Sequence, residues 1–279
     1  MRLLTLSLLL FCLPAYGQGV QSITEKTKEM EKRDGFFPVY WHADTGEIYL
    51  EIPALNQEFI YVTSMPAGLG SNDIGLDRSQ LGNTRLVRFE RSGPKILLVM
   101  PNLRYRADSE SAAERASVNE AFAEAILWGF KVEAEEENRI LVNVTDFVVR
   151  DANGITRRLR GAQQGNFSLD KSRSAPVPDM LKAFPRNTEM EARITVTSDA
   201  PGRFVRDVAA DPYSVTLSVR HSFVMLPDEG YTPRVFHPGA GYGATSYMDY
   251  AAPIGEDMVK RYIRRHRLFK ADSSAAVSD

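Results

Sequence analysis

Two glycine-rich loops hold the residues whose types and spacing could do chemistry. The first is Gly68-Leu69-Gly70-Ser71-Asn72-Asp73-Ile74-Gly75-Leu76-Asp77-Arg78. Its glycines open backbone conformations closed to other residues, and Asp73 and Asp77 could converge on a cation or a substrate amine. The order does not fit a calcium loop, which alternates Asp or Asn before a central Gly and closes on a bidentate Glu. The second loop is Phe236-His237-Pro238-Gly239-Ala240-Gly241-Tyr242-Gly243, followed by Tyr247 and Tyr250. Glycine interleaved with tyrosine suits an extended segment lying along a cleft or against another domain, because tyrosine pairs an apolar body with a polar tip. Each loop also has a plainer reading. In the first, the Asp side chains cap turns and Arg78 pairs with a neighbour; the second packs on its own sheet.

Other signatures are missing. His42, His221, His237 and His266 lie far apart, and none forms the i, i+4 pair of a His-Glu-x-x-His zinc site. There is no Gly-x-Ser-x-Gly nucleophile elbow and no phosphate loop ending in Lys-Ser/Thr. The run Lys260-Arg261-Tyr262-Ile263-Arg264-Arg265-His266-Arg267 reads as a solvated charged face held by Tyr262 and Ile263.

The elements that must position these loops are mainly strands. Phe36–Trp41 and Glu47–Ile52 flank Asp44-Thr45-Gly46, a hairpin signal, and Arg85–Glu90 meets Lys95–Met100 across Ser92-Gly93-Pro94. Further strands are expected at Glu58–Thr63, Lys131–Glu135, Arg139–Thr145, Met190–Thr197 and Ser214–Met225, with residues 151 to 188 a long irregular connection. One amphipathic helix is predicted. Ser117 and Glu120 have the capping-box spacing, Val118, Ala121, Phe122, Ala125 and Ile126 recur at helical period, and Gly129 would close it. The expected class is mainly β (α+β): antiparallel sheets and hairpins, one clear amphipathic helix and long loops.

Composition narrows the function classes. The 279 residues carry 34 basic and 36 acidic side chains, so no bulk field steers a nucleic acid. Met1-Arg2, the apolar run Leu3–Leu13, then Pro14 and Ala15-Tyr16-Gly17 have the layout of a secretory signal peptide. The run is too short to span a bilayer, which takes roughly 20 apolar residues. Cys12 follows Phe11, a departure from the small residue before the cysteine of lipoprotein signals. Residues 1–17 are thus expected to be cleaved, leaving a chain without cysteine, as suits an oxidising compartment. The expectation is an exported protein, periplasmic or extracellular, with no transmembrane span after cleavage. Residues 18–33 read as a polar lead-in, 34–270 as one β-rich domain and 271–279 as the start of a linker.

Several stretches together resemble a family. They are Gly70–Arg78, Glu120-Ala121-Phe122 through Leu127-Trp128-Gly129-Phe130, Ser246-Tyr247-Met248-Asp249-Tyr250-Ala251, and Arg261-Tyr262-Ile263 with Arg265-His266-Arg267-Leu268. From about Gly35 onward the chain resembles the N-terminal region, a domain of unknown function, of exported bacterial zinc-dependent metalloproteases of the met-zincin type. The resemblance implies a catalytic domain beyond this one, in which His-Glu-x-x-His supplies two zinc ligands and the glutamate that activates water. None of those ligands matches a position here, so no cofactor is expected in this chain and zinc is implied only for the peptidase domain. That domain, in cis or separately encoded, is the implied partner. Asp73, Asp77, Arg78, His237 and Tyr242 are the candidate cleft or interdomain contacts, and in one version His237 or a loop carboxylate occupies the open zinc position. The alternative is a self-sufficient exported β-rich protein that binds peptide or glycan on its tyrosine-rich loop.

Overall fold

The computed structural model describes residues 21–266, 268 and 270–276. The expected signal segment 1–17, with Cys12, and the end of the expected linker lie outside the described residues. The chain begins with α1 (Ile23–Lys26), β1 (Glu31–Arg33), β2 (Val39–His42), β3 (Glu47–Ile52) and β4 (Glu58–Met65). Then come β5 (Gln80–Ser92), β6 (Lys95–Met100), β7 (Tyr105–Arg106), α2 (Ala112–Ala121), β8 (Ala125–Glu136) and β9 (Arg139–Asn143). Two short helices follow, α3 (Thr145–Val148) and α4 (Ile155–Gly161), and then β10 (Ser168–Pro176), β11 (Lys182–Phe184) and β12 (Asn187–Thr197). The last elements are α5 (Arg203–Val208), β13 (Ser214–Met225), β14 (Ala244–Asp249) and β15 (Val259–Ile263).

Twelve strands make one antiparallel sheet in the order β1-β2-β3-β9-β8-β6-β5-β4-β13-β12-β10, with β11 also on β12. Its two ends meet. Phe36 N–H donates to the Phe184 carbonyl at 2.8 Å, and the Thr188 hydroxyl accepts from Phe37 N–H and donates to Phe37 O. The sheet therefore curls round its main core, and a smaller buried cluster is formed by Ile23, Tyr40, Tyr49, Ala134 and Leu141. Alternation along the strands explains which side chains fill it. In β13, Val215, Leu217, Val219, His221 and Phe223 are all buried, and in β4 Phe59, Tyr61, Thr63 and Met65 are. Phe223 stands opposite Tyr61 in the register, and His221 opposite Thr63. A second, three-stranded sheet, β15-β14-β7, is antiparallel between β14 and β15 and parallel between β14 and β7.

The mainly β class stands, and both expected hairpins form. β2 pairs β3 across Asp44–Gly46, and β5 pairs β6 with Ser92 opposite Lys95. Gly93 sits in that turn at φ +57°, a conformation that strains any residue with a Cβ.

Three expectations are corrected. The helix is Ala112–Ala121, earlier than the predicted 117–129. The Ser-x-x-Glu spacing occurs twice between residues 111 and 120, and Ser111, whose Oγ accepts from Glu114 N–H, is the cap. Residues from Ala125 onward pair with β6, Ala125 opposite Met100 and Phe130 opposite Ile96, so Gly129 is a strand residue. Ladder hydrogen bonds and the aromatic, β-branched run Ile126-Leu127-Trp128-Gly129-Phe130 prevail there over helical periodicity. The lead-in is not merely solvated: Ile23 is buried against Tyr40, Tyr49, Ala134 and Leu141, and β1 pairs β2. The stretch 151 to 188 is not irregular; it holds α4, β10 and β11. Its polar composition fits edge positions, where one row of backbone groups and most side chains face water.

One buried charge tests the curled end of the sheet. Glu51 is 3% exposed; its carboxylate accepts from the Tyr40 hydroxyl and pairs with Arg139 Nη1 at 3.1 Å. The burial and the Glu51 carboxylate together push the Tyr40 phenol well above its ordinary range. Arg139→Ala leaves the carboxylate with the phenol alone. We expect a loss of about 1–2 kcal/mol in urea unfolding, below the 3–5 typical of fully buried pairs because Arg139 partly faces water.

Candidate functional site

The first glycine loop is a closed bow joining β4 to β5. Leu69 N–H donates to the Leu76 carbonyl at 2.8 Å, and Leu69, Ile74 and Leu76 bury their side chains in the core. Gly68 carries no side chain because one would fall 2.5 Å from Arg78 N and 2.8 Å from Leu76 O across the neck of the bow. The apolar residues anchor the loop together with Ser71, which is also buried, while Asp73, Asp77 and Arg78 are exposed. α4 packs beside it, with Arg158 Nε donating to the Ile74 carbonyl at 2.5 Å. The N-terminal amides of α4, Ile155 and Thr156, are capped by the Asp151 carboxylate at 2.6 and 2.9 Å.

Between the loop, the start of β5 and α4 runs a cleft of about 590 Å³. Asp73, Gln80, Gly82, Asn153, Arg157 and Arg158 line it. Asp77 and Arg78 do not: Asp77 uses its backbone, its N–H donating to Gln80 Oε1 at 3.3 Å and its carbonyl accepting from Gln80 N–H. Neither loop aspartate makes a hydrogen bond or ion pair through its carboxylate among the described residues, and Arg78 has no carboxylate partner there. The pairing of these residues inside the loop is thus not what the structure holds.

The second loop lies on the three-stranded sheet. His237 is exposed and its Nδ1 accepts from Gly239 N–H at 3.1 Å, closing a short turn. Tyr242 is 66% exposed. Tyr247, by contrast, is buried; its hydroxyl donates to Asp108, its ring lies 4.4 Å from the Arg106 guanidinium, and burial with the Asp108 contact raises its phenol well above the ordinary range. Among the described residues no contact joins His237 or Tyr242 to Asp73, Asp77 or Arg78. The five candidates therefore belong to two separate places, one beside a cleft and one on a small sheet. No group of three or more His, Cys, Asp or Glu converges as a metal site among the described residues.

A third constellation was not among the candidates. His221 is fully buried; its Nδ1 accepts from the Tyr61 hydroxyl at 2.9 Å and its Nε2–H donates to the Val148 carbonyl at 3.1 Å. Tyr61 oxygen in turn accepts from Arg150 Nη2 at 2.8 Å, and Arg150 Nε donates to Phe147 O at 3.0 Å. Every member gives in one direction, which specifies a neutral imidazole with its proton on Nε2. Burial, reinforced by the Arg150 charge, pushes the His221 pKa down to about 3. The readable signal was its phase in β13: it falls on the same face as Leu217, Val219 and Phe223. Enclosed as it is, the chain locks α3 to the sheet rather than meeting a ligand.

Comparison with known proteins adds the family. A domain of unknown function, DUF5117, matches residues 79–271, and a second, DUF5118, also of unknown function, matches residues 20–68. No curated protein and no solved structure matches the chain. The two matched segments are not two bodies here: β4, from the DUF5118 segment, lies between β5 and β13 of the DUF5117 segment, and the gap between the matches holds the glycine bow. With well over half its length matched, the chain belongs to the DUF5117 family, preceded in sequence by a DUF5118 segment that completes the same sheet.

Proposed function

We propose that this protein is a non-catalytic domain of a zinc-dependent metalloprotease, acting outside the cytoplasm and docking on a peptidase domain through its three-stranded sheet. The distribution of exposed apolar side chains carries the reading. Among the described residues, six of the thirteen large hydrophobics that face solvent, Tyr231, Val235, Tyr242, Tyr250, Ile254 and Leu268, fall between residues 231 and 268. Val235 is 71% exposed while bridging Tyr262 on the edge of β15, and Ile254 is fully exposed in the β14–β15 connection. Large apolar side chains left in water along one stretch of chain are candidates for burial by a partner. The resemblance to exported met-zincin metalloproteases supplies the partner, and the export layout of the first seventeen residues supplies the compartment.

The test mixes the chain with a separately expressed His-Glu-x-x-His peptidase domain of the met-zincin type and follows the pair by sedimentation velocity. A stoichiometric complex is expected, weakened at least tenfold by Val235→Asp with Ile254→Asp. Both positions face water, so folding should be unchanged. No complex, or one indifferent to the double variant, would sink the reading, as would chelator-sensitive peptide hydrolysis by the chain alone.

A further inference from the structure

The cleft beside the glycine bow carries more unsatisfied chemistry than any other place among the described residues. Two buried side-chain atoms there have no hydrogen-bond partner, Thr63 Oγ1 and Asn153 Oδ1. Thr63 is 0% exposed. Both atoms border one spot: a Cβ at Gly82 would fall 2.3 Å from Thr63 Oγ1 and 3.2 Å from Asn153 Oδ1. Gly82 lines the cleft, so the missing side chain leaves these polar atoms beneath its floor. Orphaned buried polar groups are costly and rare, and a ligand is one thing that satisfies them.

Charge points the same way. Arg157 lines the cleft with no carboxylate within ion-pair distance among the described residues, and its guanidinium reaches back over Gly154, 3.1 Å from where a Cβ there would stand. Asn153 lines the same cleft. Arg158 spends Nε on the Ile74 carbonyl and lays Nη2 over Gly75, whose φ of +69° and bare Cα leave room for it. Asp73, the one acidic side chain lining the cleft, has no cation partner among the described residues.

We propose that this cleft binds the free C-terminal end of a peptide. A planar guanidinium fork matches a carboxylate in two parallel hydrogen bonds. An N–H donor close to that carboxylate is what Asn153 Oδ1 lacks, and the terminal residue of a peptide offers both groups, its amide nitrogen and carboxylate carbon being bonded to the same Cα. The cleft volume suits a few residues rather than a lone ion, within the range of small-ligand sites. The proposal stands apart from docking on the three-stranded sheet and holds whichever way that test falls.

The experiment titrates the full chain with Ala-Ala-Ala, its C-terminal amide and inorganic phosphate, following amide resonances by NMR. The free acid should bind saturably, shifting residues 73–82 and 153–158, and the amide should bind at least tenfold more weakly. Arg157→Ala should weaken the free acid tenfold or more. Asn153→Ala should weaken the tripeptide but leave phosphate unchanged; because Asn153 is partly buried, Arg157→Lys, which keeps the charge and loses the fork, gives a second test and should also weaken the tripeptide. Equal binding of acid and amide, tripeptide binding no tighter than phosphate, insensitivity to Arg157→Ala, or no saturable binding would each overturn the proposal.

Discussion

His221→Gln should remove the share of this fold's acid sensitivity that the buried imidazole contributes. In the native chain the imidazole is neutral and held near pKa 3, whereas in the unfolded chain it titrates near 6.5. Between those two values the unfolded state binds the extra proton, so stability rises with pH through the window and falls as the solution is acidified. Above about pH 6.5 both states are neutral and the effect is gone. The slope from one such group is on the order of 1 kcal/mol per pH unit, or about 2–3 kcal/mol between pH 6 and pH 4. Glutamine offers an acceptor for the Tyr61 hydroxyl and a donor for the Val148 carbonyl but has no proton to gain. Its denaturant midpoint should therefore fall less than the parent's over that range, by the imidazole's share. His221→Phe gives the complementary result: with Tyr61 and Val148 left unpaired in the core, about 2–4 kcal/mol should be lost already at neutral pH. Parallel acid limbs for parent and glutamine variant would show that the imidazole is not held neutral.

Phe223→Ala should cost about 3–5 kcal/mol, a large share of the stability of an ordinary domain. Phe223 is fully buried, and its ring lies 5.1 Å from Phe59, 5.4 Å from Tyr61, 5.8 Å from Phe37, 6.0 Å from Phe147 and 6.1 Å from Phe89. Three of those neighbours come from the DUF5118 segment and two, with Phe223 itself, from the DUF5117 segment. The cavity thus opens at the seam between the two. Because β4 is sandwiched between β5 and β13, the loss should shift one cooperative urea transition without splitting it. Two separate transitions, one unaffected by the substitution, would mean that the segments fold as independent domains.

Much of the fold was legible because strands with one wet face announce themselves by alternation. Ser214–Met225 was read to the residue, and the two hairpins followed from Asp44-Thr45-Gly46 and Ser92-Gly93-Pro94. The helix was displaced because Ser111-x-x-Glu114 and Ser117-x-x-Glu120 present the same cap, and only pairing with β6 shows that Ala125 onward is strand. Residues 151–188 were unreadable for a related reason: α4 is short, β10 is a sheet edge, and neither imposes a clear period. Of the candidate site, the glycine bow was visible through its composition, and Asp73 does line a cleft. The other wall of that cleft, Asn153 to Arg158, lies more than seventy residues away in sequence and carries no motif. Only the curl of the sheet brings it there. His237 and Tyr242 stand out in the sequence through the glycines and tyrosines around them; both are exposed in the structure, and nothing in local sequence says that they stand apart from the bow.

In the proposed reading, the three-stranded sheet is the docking face for a peptidase. Hydrogen–deuterium exchange of the chain with and without a His-Glu-x-x-His peptidase domain of the met-zincin type tests it most directly. Slowed exchange concentrated in residues 231–263, with the bow and α4 unchanged, is the predicted outcome. Unaltered exchange across 231–263, or protection confined to residues 68–82 and 153–162, would contradict it.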